Sequence, residues 1–180
     1  SDTFVDYAYK KYSYYLDESQ EIIWMSERDG WNHLYLYDAQ QGQVKQQITS
    51  GPWVVRGVER VDPESRTIWF RASGIDPDQD PYYIHYCRIQ FDGSGLVRLT
   101  RGDGTHSIQY SPDRDLLVDT YSRVDMPPVS ELRNTEDGRL VCVLERADWS
   151  ALLATGWQVP ERFVAKARDG TTDIHGVIYR

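Results

Sequence analysis

A chain of 180 residues is long enough for one domain with a sizeable apolar core, and 40% hydrophobic with 27% charged residues is an ordinary globular composition. Its formal net charge of −8 repels phosphate backbones, so nucleic acid is excluded as an expected partner. No stretch approaches the roughly 18 consecutive apolar residues of a membrane-spanning helix, and Ser1-Asp2-Thr3-Phe4 shows no basic segment leading into an apolar run, so no signal peptide is visible.

Aromatic residues make up 13% of the chain, with thirteen Tyr and six Trp, a bias that suits half-buried pleated strands. In chain order, the first strands are expected at about 4–15, 21–26, 33–38 and 43–49. Tyr7, Tyr9, Tyr12, Tyr14 and Tyr15 form a stripe in the first of these, read as packing between sheets rather than as a stacking surface for a ligand. The next strands fall at 54–61, 67–72, 82–90 and 96–100. Their separators are the turn-formers Asp62-Pro63-Glu64, Gly74-Ile75-Asp76-Pro77 and Asp92-Gly93-Ser94-Gly95. A further four are expected at 106–110, 116–122, 129–134 and 140–145.

These elements repeat. Asp17, Asp62 and Ser111 each stand in a polar turn between an apolar residue and an apolar strand, 45 and 49 residues apart. Ile48-Thr49-Ser50-Gly51 recurs as Leu99-Thr100-Arg101-Gly102. Four short strands per repeat of 40 to 50 residues is the pattern of a β-propeller blade. The fold class expected is therefore all-β: a partial propeller of about three four-stranded antiparallel blades, at about 1–50, 51–101 and 102–145. Three blades do not close a ring, so the chain reads as part of a larger propeller whose exposed ends invite pairing, a homodimer included.

Beyond Glu145 the two-residue alternation stops. Trp149, Leu152 and Leu153 lie at helical spacing, with Asp148 as expected N-cap and Gly156 just past the end. A strand at 159–167, the turn Arg168-Asp169-Gly170-Thr171 and a return strand at 173–179 complete a hairpin. The chain stops at Arg180 directly after an apolar run. Residues 146–180 are accordingly expected to be a linker helix and the first hairpin of a second domain.

Chemical candidates are few. Asp103, His106 and Ser107 are the residue types of a hydrolytic triad, but neighbours in an extended segment point to opposite faces, and no Gly-x-Ser-x-Gly elbow occurs. The stretch is read as a loop between blades entering the next strand. Asp76-Pro77-Asp78-Gln79-Asp80 begins like a calcium loop, yet Pro81 and Cys87 stand where the pattern needs Gly and Glu. His33 and His85 lie in strands without clustered ligands. Cys87 and Cys142 are read as two buried free thiols, with a disulfide as the alternative and no zinc-type spacing. No metal or cofactor is expected, and no catalytic constellation is found.

Several stretches nonetheless resemble a known family. Ser26-Glu27-Arg28-Asp29-Gly30-Trp31-Asn32-His33-Leu34-Tyr35-Leu36-Tyr37-Asp38 resembles a late blade of the dipeptidyl peptidase IV-like propeller. Asp103-Gly104-Thr105-His106-Ser107, Tyr110-Ser111-Pro112-Asp113, Asp119-Thr120-Tyr121-Ser122 and Asp125-Met126-Pro127-Pro128 resemble its last blade. Arg168 to Arg180 is similar to the hairpin that opens the family's α/β-hydrolase domain. The resemblance implies a parent serine peptidase of the prolyl oligopeptidase class, periplasmic or extracellular, that cleaves N-terminal dipeptides. Its propeller would cap a hydrolase domain in cis and admit and position peptide substrates. The triad would lie after Arg180 and the paired glutamates that grip a substrate's amino terminus before Ser1, so this chain alone is expected not to be an enzyme. One role carried over is that of a hairpin Tyr donating to the oxyanion, whose matching position here is His175. The alternatives are a non-enzymatic propeller for binding or scaffolding, and a peptidase specific for acyl-peptides or internal bonds.

Overall fold

The computed structural model describes residues 11–180. Strands β1 (Ser13–Leu16), β2 (Glu21–Ser26), β3 (His33–Asp38) and β4 (Gln43–Gln47) form one antiparallel sheet in plain sequential order. Strands β5 (Val54–Asp62), β6 (Thr67–Ser73), β7 (Ile84–Gln90) and β8 (Val97–Arg98) form a second, and β9 (Thr105–Tyr110), β10 (Leu116–Arg123), β11 (Met126–Asn134) and β12 (Leu140–Arg146) a third. Three four-stranded meanders in succession are three propeller blades, as the repeat predicts. A one-turn helix α1 (Ser150–Leu153) leads to the hairpin β13 (Glu161–Lys166) and β14 (Asp173–Ile178).

The turn between the first two strands of each blade repeats in detail. Gln20, Arg66 and Arg114 occupy equivalent places and all have positive φ, at 53°, 51° and 63°. Each costs about 1–2 kcal/mol of backbone strain in a non-glycine residue. Local hydrogen bonds offset that cost: Gln20 N–H donates to Asp17 O and Arg114 N–H to Ser111 O, while the Asp62 carboxylate accepts from Ser65 N–H.

The fourth strands of the first two blades are shorter than expected, and the reason is a side chain. Leu34 N–H donates to Thr49 Oγ1 and Tyr86 N–H donates to Thr100 Oγ1. A threonine hydroxyl thus takes the amide that the next ladder rung would use, and the pairing ends at Gln47 and Arg98. The third strand of blade two starts at Ile84 rather than Tyr82, which lies in the preceding turn with its amide on Asp80.

The main apolar core lies between blades one and two. It joins Ile23, Leu34, Leu36 and Ile48 to Trp53, Val55, Ile68, Phe70, Ile89 and Phe91. Tyr12 and Tyr14 pack against its edge, Tyr15 is exposed, and Tyr7 and Tyr9 lie outside the described residues. Two expectations need correction. Cys87 is a buried free thiol, but Cys142 is exposed, because every residue of the outermost strand β12 is. The helix starts one residue later than expected: Trp149 is the N-cap and makes no side-chain cap, while the Asp148 carboxylate accepts from Ser150 N–H at 2.9 Å. Among the described residues, no helix is long and apolar enough to cross a membrane.

Candidate functional site

Three of the four histidines are buried where blades meet. His33 Nδ1 lies 3.0 Å from Thr49 Oγ1, and its Nε2 3.0 Å from Gly51 O. His85 repeats the arrangement, with Nδ1 3.3 Å from Thr100 Oγ1 and Nε2 2.9 Å from Gln79 Oε1. Each threonine hydroxyl accepts a backbone N–H and donates its own proton to the ring, which suits a neutral imidazole. Burial lowers the pKa of both. For His85 the neighbouring His106 and Arg98 add to it, and the value falls to about 4. These rings are structural parts of the blade joints, as the sequence suggests.

His106 differs. Its Nδ1 is 2.7 Å from Asp119 Oδ1 and its Nε2 2.8 Å from Gly102 O, so both nitrogens face oxygen acceptors. Asp119 also pairs with Arg133, whose Nε is 3.3 Å from Oδ2, and Arg133 Nη2 donates to Glu131 Oε2. Arg133 Nη1 donates to Gly138 O. Gly138 has φ +71°, and a Cβ there would sit 2.5 Å from Arg98 O, so only glycine lets this turn close against blade two. All four side chains are at most 7% exposed.

The triad-like trio is therefore split. The carboxylate of His106 is Asp119, while Asp103 pairs with Arg123 and the exposed Ser107 donates to Thr120 O. An Asp–His couple exists, but it faces a carbonyl rather than a nucleophile. Sequence reasoning missed the quartet. Its signal was parity: Asp119 shares a strand face with the buried Leu117, and Glu131 and Arg133 with the buried Val129.

A cleft of about 710 Å³ separates the β13–β14 hairpin from the rim of blades one and two. Trp31 and Pro52, the 73–81 loop, and Arg162, Phe163, Asp173 and His175 of the hairpin line it. His175 Nδ1 is 3.5 Å from Asp80 Oδ2, and its ring meets Tyr82 edge-on. Arg162 holds the hairpin to the propeller: Nη1 donates to Tyr83 OH at 2.7 Å and Nε to Asp125 Oδ2 at 3.1 Å. Asp125 also accepts from Arg123 Nε at 2.9 Å. Burial alone would raise the Asp125 pKa, but Arg123 and Arg162 outweigh it and lower it. In the calcium-like loop, Asp76 accepts from the Arg98 guanidinium at 2.6 Å, so a cation of the chain itself stands there. Among the described residues no group of three His, Cys, Asp or Glu is placed to hold a metal ion.

Comparison with solved structures supports the same architecture. The chain is similar to dipeptidyl peptidase 4 of Porphyromonas gingivalis, with a TM-score of 0.65 and 23% identity over 93% of this chain and 23% of that one. It is also similar to a Bacteroides ovatus protein described as a dipeptidyl aminopeptidase IV, with a TM-score of 0.64 and 24% identity over 87% of this chain and 24% of the other. At such identities the likeness establishes the fold, and the chain spans about a quarter of the length of either. The family model for the dipeptidyl peptidase IV N-terminal region matches residues 1–128, so the chain belongs to that family.

Proposed function

We propose that this chain is the non-catalytic propeller part of a serine exopeptidase that removes dipeptides from peptide N-termini. The hairpin would open an α/β-hydrolase domain in cis, which would supply the nucleophile and its triad. The observation that carries the reading is the cleft between hairpin and propeller rim. It is held open from one side by the Arg162 clamp and lined by apolar Trp31 and Phe163 together with the carboxylates of Asp80 and Asp173. A wall of this kind admits an extended peptide with a protonated amino terminus and turns away folded proteins.

His175 would lie on the oxyanion side of that space. Its Nδ1 faces Asp80 Oδ2 at 3.5 Å, so an oxyanion role falls to Nε2 and requires an N–H there. Pairing of two copies through the exposed strand β12 belongs to the same proposal, and sedimentation of the protein at several concentrations tests it.

The experiment is a turnover assay with Gly-Pro and Ala-Pro chromogenic substrates. The full-length protein containing this chain is expected to release the dipeptide in a reaction blocked by a serine-directed inhibitor, and the 180-residue chain to show no turnover above background. Inhibitor-sensitive turnover by the chain alone, or none by the full-length protein, overturns the proposal. His175→Phe in the full-length protein separates two roles: an oxyanion donor lowers kcat by about 10²–10³-fold, whereas a wall residue changes chiefly KM.

A further inference from the structure

Successive turns of an antiparallel meander lie at alternate ends of the sheet. The hairpin β13–β14 meets the β6–β7 and β10–β11 turns. The β5–β6, β9–β10 and β11–β12 turns therefore lie at the opposite rim, and there blades two and three enclose a second pocket of about 230 Å³. Arg60, Arg88 and Arg114 all line it, with Trp69, Tyr110 and the single acid Glu136. Three guanidinium groups converge here in a chain whose net charge is −8.

Each arginine is fixed in a way that leaves donors unused. Arg60 lies over the Trp69 ring at 4.9 Å and Arg114 over the Tyr110 ring at 4.8 Å, contacts that engage the faces of the guanidinium and not its N–H edges. Arg88 directs Nε and Nη2 to the Glu136 carbonyl, a neutral partner. Arg60 pairs with Asp62 at 3.2 Å, but among the described residues no carboxylate pairs with Arg88 or Arg114. The Tyr110 hydroxyl is buried without a hydrogen-bond partner. Burial pushes its pKa up to about 12, so it keeps its proton and remains a donor. An unmet buried hydroxyl and three gathered like charges both cost stability, and one group relieves both: an anion that accepts several hydrogen bonds.

We propose that this pocket binds a small oxyanion of phosphate size, held by Arg60, Arg88, Arg114 and the Tyr110 hydroxyl. Its volume falls below the roughly 300 Å³ at which sites for drug-sized ligands begin. It takes a phosphate, free or as the head of a monoester, and excludes a nucleotide. The site is separate from the hairpin cleft and does not depend on the peptidase reading.

Isothermal titration of the protein with inorganic phosphate at fixed ionic strength tests the proposal, with chloride as the reference anion. Saturable binding is expected, weakened at least tenfold by Arg114→Gln and about threefold by Tyr110→Phe. Arg168→Gln in the β13–β14 turn should leave it unchanged. Arg114 is exposed, so its variant should fold, and Arg60→Gln, checked alongside by circular dichroism, gives an independent second removal. Phenyl phosphate binding more tightly than the free ion assigns the site to a head group, and equal binding assigns it to free phosphate. Absence of saturable binding, equal binding by Arg114→Gln and Arg60→Gln, or equal weakening by Arg168→Gln overturns the proposal.

Discussion

Blades two and three share one strand order and match in register between their second and third strands, yet fill equivalent positions with opposite chemistry. Val55 pairs with Ala72 as His106 pairs with Tyr121, and Phe70 with Cys87 as Asp119 with Glu131. Ile68 pairs with Ile89 as Leu117 pairs with Arg133. Blade two thus turns Val55, Phe70, Cys87 and Ile89 toward blade one, where blade three turns His106, Asp119, Glu131 and Arg133 toward blade two. The apolar set needs only area and fit. The ionic set must keep every partner, because each charge is out of water and has no other means of compensation. Backbone hydrogen bonding and alternation specify a blade, and the chemistry of the joint between blades is free to vary.

The largest expected effect tests that difference directly. Asp119→Ala leaves His106 and Arg133 buried without their common carboxylate and should cost about 3–5 kcal/mol. Phe70→Ala at the matching position opens a cavity and should cost a similar 3–5 kcal/mol. Rescue separates the two. Replacing the whole set with the residues of blade two, His106→Val, Asp119→Phe, Glu131→Cys and Arg133→Ile together, should recover most of the loss of Asp119→Ala, since an ion network exchanged for packed apolar groups is often neutral or stabilising. Urea unfolding of the single and fourfold variants reads both. A loss below 1 kcal/mol for Asp119→Ala would mean that the quartet is not a structural unit.

That quartet also marks where the sequence stops being readable. Turns rich in Asp, Pro and Gly, and the recurrence of Ile48-Thr49-Ser50-Gly51 as Leu99-Thr100-Arg101-Gly102, were enough to locate three blades and nearly every strand. Strand ends were less legible, because Thr49 and Thr100 cap the ladder through a hydroxyl, and nothing in local pattern distinguishes that from one more rung. Cys142 was misplaced for a similar reason: apolar Leu140 to Leu144 read as core, but β12 is an outermost strand with no blade beyond it among the described residues. In the sequence His106 stands beside Asp103 and Ser107, while its partner Asp119 stands across the ladder, thirteen residues on. The hairpin cleft was not legible at all, since Asp80, Tyr83, Asp125 and Arg162 meet only through the fold.

A pH titration sharpens the comparison at the joint itself. His85 sits 4.7 Å from the His106 ring, and its folded pKa of about 4 lies below the ordinary 6.5. Between those values the unfolded chain binds more protons than the folded one, so stability rises with pH across the window. The neutral ring contributes fully above about pH 6.5, and its contribution is lost as pH falls toward 4. About 1.4 kcal/mol per pKa unit sets the scale, so His85 accounts for about 2–3 kcal/mol between pH 7 and pH 4, and His33 changes stability in the same direction. Urea midpoints of the wild type and His85→Gln should differ less at pH 4 than at pH 7. A constant difference would count against a buried neutral ring.

A buried carboxylate stands at the rim of the joint between blades one and two. Glu21 is 3% exposed and takes Arg66 of blade two at 2.9 Å and Lys45 at 2.5 Å. Burial would raise its pKa, but hydrogen bonds from Arg66, Lys45 and Ser19 outweigh burial and hold it at about 2. Its contribution is present above the unfolded value near 4.5 and is lost as pH falls through about 2, below the histidine window. Arg66 and Lys45 remain nearly half exposed and can turn to water, so Glu21→Gln should cost only about 1–2 kcal/mol, far less than Asp119→Ala. If the two losses were equal, burial of the partners would not be what separates the joints.

Exposure should reduce the effect further at the hairpin. Arg162 is 34% exposed and Asp125 25%, against 7% for Arg133 and 0% for Asp119. Exposed pairs contribute about 0–1 kcal/mol and are screened by salt. Arg162→Gln should therefore leave the unfolding free energy within about 1 kcal/mol of wild type. Its effect should appear locally instead, because the Arg162 side chain bonds the hairpin to both Tyr83 and Asp125. Amide exchange in β13 and β14 is expected to quicken severalfold while exchange in β10 and β11 is unchanged, and 1 M salt should move the wild type part of the way toward the variant. Faster exchange in both regions would mean that the clamp supports the third blade as well as the hairpin, and the contrast between buried and exposed ion pairs would then fail at this site.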